Sequence, residues 1–514
     1  MGATPPLTAY SAPQKRNPIA AAVARRTRAR EPARAGESAA APRRRRRATG
    51  GPGGGRPRLG ATVTRRARVG ERGKRETDHM DHLTTDAARR ERWYAAHVRP
   101  RYIEVVRDPG EDCRAPDSPS RPAPAPRSDC LDEGHIVGIP ASLLVVAGDD
   151  GADDAANTRR GAVSLRRSLA EYGFAVVTGA LSPAECDKAL DLAWDYLEGA
   201  SCAERTAQRP PLANDADAPP PVRRCDPATL SSPFFPAAVE GGILPFYGSG
   251  HAAFSWHLRD SAAVQAAFAA VHGVARRELA TSLDGLVLWR AGRAHRTDAG
   301  WFHVDQNPRT KPGFAAVQGL VNLLPTTPAT GGNVLVARSH ALFPDHYTGD
   351  GEGPEGFRDF YRARLDEVRG DDWLEIDPRD ARLLEARNVA TCLLGAGDLL
   401  LWDSRVAHCS CPGREEDAAA ARDAARPPGL IRAAGLVAMM PRRAVAAGAR
   451  RERIRAVREA RTLTHWVDKA APLGEERRDK AALEKRRVAL LRGIRPDVLL
   501  GWEDLSESQR RLIG

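Results

Sequence analysis

The chain has 514 residues, 42% of them hydrophobic, and a formal net charge of +12. The charge is uneven: residues 1–75 hold 20 Lys and Arg against 3 Asp and Glu, or +17, which leaves −5 for the rest. A nucleic-acid or polyanion partner is therefore a question for the N-terminal segment alone, and the lack of any apolar run of about 18 residues excludes a membrane span.

Residues 1–130 read as a basic Arg/Ala/Pro-rich tail, too poor in apolar periodicity to offset the entropy of ordering, and hence disordered. Three readings of its start stay open. It is free of acids until Glu31, as an organellar transit peptide is; Arg43–Arg47 has the form of a nuclear address; or translation begins at Met80. There is no secretory segment. The 8 cysteines form no Cys-x-x-Cys pair, so the expected setting is intracellular and reduced, cytoplasmic by default.

A folded domain is expected over 131–445. Leu165, Leu169 and Tyr172 at helical spacing place a helix over Ser164 to Tyr172, ended by Gly173, and Phe174 to Val177 reads as a strand. Ser182, Pro183 and Glu185 form a capping box that opens a second helix. Residues 203–245 are a Pro-rich insert, long enough to be a lid, and Tyr247, His251, Trp256 and His257 read either as lid residues or as a packed cluster. A third helix is predicted over Ser261 to Ser282. Strands follow at Leu286–Trp289, Trp301–Asp305, Val317–Leu324, Asn333–Ala337, Asn388–Leu394, Asp398–Trp402 and Leu430–Met440; the pair around Gly395-Ala396-Gly397 is expected to form a hairpin. Short strands with Gly-rich turns indicate a mainly β fold, a sandwich or barrel with helices gathered at its N-terminal side. Residues 446–514 read as a charged helical extension packed on the core.

The chemistry lies in Trp301-Phe302-His303-Val304-Asp305-Gln306 and the later His408. On a strand, residues i and i+2 share a face, so His303 and Asp305 point together. Two imidazoles and one carboxylate form the ligand set of non-haem Fe(II) oxygenases, which leaves positions open for a co-substrate and O2. His340 reads as a turn or core histidine rather than a fourth ligand.

The surroundings of these ligands resemble the phytanoyl-CoA dioxygenase family of Fe(II)- and 2-oxoglutarate-dependent oxygenases over about residues 160–445. The likeness rests on Leu169-x-x-Tyr172-Gly173-Phe174, Phe302 to Gln306, Gly331-Gly332-Asn333 through Ser339-His340, Gly397-Asp398 through Trp402 with His408 and Ser410, and Leu430-Ile431-Arg432-Ala433. It implies a double-stranded β-helix (jelly-roll, cupin-like) core and metal ligation by His303, Asp305 and His408. It also implies that Arg432 grips the distal carboxylate of 2-oxoglutarate, with Ser410 and Gln318 as further co-substrate contacts. A bidentate grip of that kind suits Arg and not Lys. Two departures from the family pattern are present: Gly413 to Pro428 lengthens the step from His408 to Arg432, which leaves Arg405 as a rival anchor, and Arg338 stands where a Gly is usual. The activity implied is hydroxylation of a small acyl or secondary-metabolite substrate with release of succinate and CO2, since a carboxylate at 305 disfavours halogenation. The alternative is a jelly-roll protein that binds a metal or ligand without catalysis.

Overall fold

A computed structural model describes residues 94, 98, 100–107, 131–145, 152–208, 219–236, 238, 242–292, 295, 297–348, 357–368, 372–377, 379–380, 382–385, 387–414, 429–473, 494 and 498–514. Residues 1–93, and with them all three readings of the start of the tail, lie outside the described residues.

The strands in chain order are β1 (Arg101–Val106), β2 (His135–Val137), β3 (Ile139–Pro140), β4 (Phe174–Thr178), β5 (Ile243–Leu244), β6 (Leu279–Thr281), β7 (Leu286–Arg290), β8 (His303–Val304), β9 (Val317–Asn322), β10 (Gly331–Val336), β11 (Leu374–Glu375), β12 (Val389–Leu393), β13 (Leu399–Asp403), β14 (His408–Pro412) and β15 (Leu430–Pro441). They form two sheets, one ordered β11-β8-β14-β10-β12-β1-β2, the other β3-β4-β13-β9-β15-β7-β5 with β6 alongside β15. From β7 to β10 and again from β12 to β15 the chain alternates between them: β7, β9, β13 and β15 lie in one sheet, and β8, β10, β11, β12 and β14 in the other. That alternation is the double-stranded β-helix expected from the sequence, with helices added.

Three apolar layers follow from the period of two along each strand. Leu320, Leu335, Leu400, Trp402, Trp289 and Ala434 fill the space between the sheets. Val317, Val321, Leu401 and Val437 face outward onto the helices Ala152–Tyr172, Pro183–Gln208, Ala253–Asp260 and Ala262–His272. Val304, Val334, Val336 and Cys409 cover the outer face of the other sheet. The capping box forms as read: Ser182 N donates to Glu185 Oε2 at 2.8 Å and Glu185 N to Ser182 Oγ at 3.3 Å.

Several boundaries move. Within the segment read as disordered, β1 pairs parallel with both β12 and β2; Ile103 and Val105 are buried while Glu104 is exposed, a six-residue alternation that composition averaged over 130 residues conceals. The insert at 203 begins inside a helix that continues to Gln208, and its far end supplies β5, which pairs with β7. The third helix stops at His272, where Gly273 takes φ 63°, and its predicted second half becomes β6. The strand at 301–305 shrinks to His303–Val304. No hairpin joins β12 to β13: β12 pairs with β10 and β1, and β13 with β4 and β9. Both strands are almost wholly buried, so neither shows the alternation that would have assigned it a sheet. Among its described residues the C-terminal extension has α-helices at Ala447–Glu459 and Glu507–Arg511 and a 3-10 turn at Trp502–Asp504, and runs irregularly through 460–473; 474–493 and 495–497 lie outside the described residues.

Candidate metal centre

β8 and β14 are neighbours, and the register sets His303 directly opposite His408. Just ahead of β8, Gly300 has φ 74°, and a Cβ there would meet Tyr94 Cβ at 2.7 Å; only glycine allows the chain to turn into β8 at that point. Asp305 follows the strand, its backbone N–H donating to Ser404 O at 3.2 Å.

His303, Asp305 and His408 present ligand atoms that all lie within 4.8 Å of one another. Asp305 Oδ1 is 3.7 Å from His303 Nε2, and its Oδ2 is 3.3 Å from His408 Nε2. Ligands bound at about 2.1 Å to one ion stand roughly 3 Å apart, so a small inward shift brings this set to bonding distance. The tautomers suit it as well. His303 Nδ1 lies 3.2 Å from Trp301 O and His408 Nδ1 2.9 Å from Val406 O, so each imidazole donates from Nδ1 and turns its Nε2 lone pair to the centre, the usual outer support of a metal-bound histidine. Gln318 Nε2 donates to Asp305 Oδ2 at 2.8 Å. Trp301 stacks on His303 with centroids 4.7 Å apart, and Trp373 stacks on the same ring at 5.7 Å.

Burial alone would raise the Asp305 carboxyl, but the charge of His303, a weaker one from His465, and hydrogen bonds from both imidazoles hold it well below the usual carboxylate range. Burial and the neighbouring His303 push His408 below the usual imidazole value, against the pull of Asp305. Asp305 and His408 are thus poised in the deprotonated, ligating state.

Arg432 sits on β15 opposite Trp289, its guanidinium 4.4 Å from that ring's centroid. Trp289 belongs to the layer between the sheets, so Arg432 faces the barrel interior. It is 3% exposed. Among the described residues its Nε and Nη1 have no hydrogen-bond partner, and burial pushes it down to about 9. Ser410, two residues beyond His408 on the same face of β14, is buried opposite Asn333, whose Nδ2 has no partner among the described residues. The barrel interior therefore holds hydrogen-bond donors with no acceptor among the described residues. The rival, Arg405, is engaged: its Nε and Nη2 contact Asp403 Oδ1 and Oδ2 at 2.9 and 2.7 Å.

Gln318, expected at the co-substrate, instead orients the carboxylate ligand. Gln306 is occupied by Ser404 Oγ at 2.6 Å and by the carbonyls of Lys311 and Gly313. His340 Nε2 meets Ala170 O at 3.1 Å, a structural role. The aromatic group at 247–257 is a packed cluster: His251 Nε2 bonds Arg461 O at 2.7 Å, Tyr247 bonds Glu204, and Trp256 is fully buried. Sequence reasoning missed Trp373 and the segment around His465 and Trp466; two adjacent aromatic rings within a charged stretch were the available signal.

No helix among the described residues is long and apolar enough to cross a membrane. No family model matches the chain, so its likeness to phytanoyl-CoA dioxygenases rests on the motifs. In sequence it is similar to "Ava biosynthesis cluster protein O" of Aspergillus versicolor, 31% identical over 224 residues, 42% of this chain and 64% of that protein, which is less than two thirds of the relative. Among solved structures it is similar to the epimerase SnoN in complex with Fe3+, alpha ketoglutarate and nogalamycin RO, at 15% identity and TM-score 0.32 over 55% of this chain and 84% of that one. A second is EctD from S. alaskensis with 2-oxoglutarate and 5-hydroxyectoine, at 14% identity and TM-score 0.31 over 59% and 82%.

Proposed function

We propose that the protein is an Fe(II)- and 2-oxoglutarate-dependent oxygenase that hydroxylates a small molecule of the secondary-metabolite type. The observation that carries this reading is Arg432. A buried guanidinium without a counter-charge is costly, and this one opens into the same barrel interior as a two-histidine, one-carboxylate cluster. A five-carbon dicarboxylate that meets the metal at one end would bring its far carboxylate to that guanidinium. When bound, iron with 2-oxoglutarate and O2 supplies the oxidising power to break an unactivated C–H bond, releasing succinate and CO2.

The residues of the chain would divide the remaining work. His303, Asp305 and His408 would hold the metal. Gln318 fixes the rotation of Asp305, and the carbonyls of Trp301 and Val406 fix the two imidazoles. Arg432, with Ser410 and Asn333, would bind and orient the co-substrate, while Trp289 and Trp402 keep water from the barrel interior. The name of the fungal relative, a biosynthesis cluster protein, favours a secondary-metabolite substrate over an acyl one.

The test is succinate formation from 2-oxoglutarate by the purified chain, with and without Fe(II) and O2. Dependence on both, lost in Asp305→Ala, is expected. Absence of turnover together with absence of iron binding would sink the reading; iron binding without turnover would leave a non-catalytic metal protein.

A further inference from the structure

The C-terminal extension returns to the metal end of the barrel. Leu463 N–H donates to Leu283 O at 2.8 Å, and Ser282 N–H donates to Ala438 O at 2.7 Å. Ala438 in turn pairs with Gln318, the residue that holds Asp305. On the other side, Lys469 Nζ and Lys311 Nζ share Asp372 Oδ2 at 2.5 and 2.7 Å, with Lys311 lying 3.3 Å from the centroid of the Trp466 ring. Asp372 also accepts from Asn307 N at 3.5 Å, and its neighbour Trp373 stacks on His303. Residues 464–469 are thus pinned between the loop before β7 and the loop after Asp305.

This short segment concentrates polar atoms that no described residue satisfies. Thr464 Oγ1, His465 Nε2, Trp466 Nε1 and Asp468 Oδ1 are all buried without a hydrogen-bond partner among the described residues. Trp466 is 4% exposed. Four such atoms in five consecutive residues contrast with the general rule that buried polar groups are paired.

We infer that Thr464 to Asp468 form the substrate-side wall of the metal centre and recognise a polyhydroxylated small molecule. The atom set decides the class. Trp466 Nε1 can only donate, Asp468 Oδ1 accepts, and Thr464 and His465 can do either. Hydroxyl groups, which both donate and accept, match all four. An apolar acyl chain would leave every one of them unpaired, and an anion would meet Asp468. The inference rests on the oxygenase reading and sharpens its substrate.

Two measurements test it. In the ligand-free protein, Thr464→Val and His465→Leu remove unsatisfied atoms, so each should leave Tm unchanged or raise it by about 1–3 °C; a fall of more than about 2 °C in either would show that these atoms already have structural partners and would overturn the wall. In the Mn(II)-loaded protein, paramagnetic relaxation of a methyl glucoside and of octanoate is compared by NMR. Relaxation of the glucoside, weakened at least fivefold by His465→Leu, and little relaxation of octanoate are expected. Octanoate relaxing as strongly as the glucoside, neither probe relaxing, or a glucoside effect indifferent to His465→Leu would overturn the substrate class. Failure of Mn(II) to bind at all would instead fall on the triad, and the Tm result would still report on the wall.

Discussion

Arg432→Met is the substitution with the most to say about the barrel interior. The side chain is buried and lacks an acid partner among the described residues, and its value is pushed down to about 9 by burial alone. The change from the ordinary 12.5 to about 9 corresponds to roughly 5 kcal/mol of unfavourable charge burial in the ligand-free state. The sign follows from linkage: a cation with a lowered folded value destabilises the fold at every pH below that value, and relief comes only as pH rises through about 9 and beyond. Met fills a similar volume without charge, and such replacements of buried charge stabilise by about 1–4 kcal/mol. The ligand-free variant should therefore unfold about 2–8 °C above wild type. With Mn(II) and 2-oxoglutarate at a hundred times its Kd, wild type should gain about 2.7 kcal/mol, and Arg432→Met should gain almost none of that. Thermal unfolding of both proteins, with metal alone and with metal plus co-substrate, reads out both effects. A variant less stable than wild type without ligand, or one that keeps its 2-oxoglutarate shift, would refute the reasoning.

Gln318→Leu removes the donor to Asp305 Oδ2 and should weaken metal affinity about 10–100-fold, measured by calorimetry with Mn(II); an unchanged affinity would assign Gln318 elsewhere. Arg405→Met breaks a bidentate contact to Asp403 yet should leave 2-oxoglutarate affinity within about twofold, because the guanidinium is already engaged; a tenfold loss would make Arg405 the anchor. Metal binding should survive acidification further than an ordinary histidine site allows. His408 is lowered and Asp305 well below its usual range, so neither binds a proton in competition until pH falls below the ordinary imidazole value of about 6.5; a metal-binding midpoint above that value would contradict the shifts.

The ligand triad was legible because its evidence is local: a period-two pair, His303 and Asp305, and one histidine at a strand start. Strands β7 to β10, β12, β13 and β15 were legible for the same reason, whereas β11 and β14 were not read as strands. What could not be read was which sheet each strand joins. β12 and β13, buried on both faces, carry no alternation, and a hairpin was the wrong inference from the Gly-rich turn between them. β1 was hidden because a short strand lies next to a long stretch of biased composition. Gln318 was read as a co-substrate contact because sequence cannot say which polar group its amide reaches, here Asp305 Oδ2. The position of residues 464–469 was invisible, because nothing local in Thr464-His465-Trp466 reveals the contacts of this segment with Lys311 and Asp372. The state of Arg405 against Arg432 was likewise a matter of neighbours: Asp403 lies two residues from one and no carboxylate contacts the other among the described residues.

The two-residue strand β8 touches β14 through a single ladder pair, His303 opposite His408. An ion shared by these two side chains would act as a clasp on the margin of the barrel, cross-linking positions 105 apart in the chain where backbone hydrogen bonds are fewest. Departure of the ion and detachment of this margin then become one event, so hydrogen exchange at residues 303–306 should report metal occupancy, and a cell short of iron would hold a chain open to proteases at this seam.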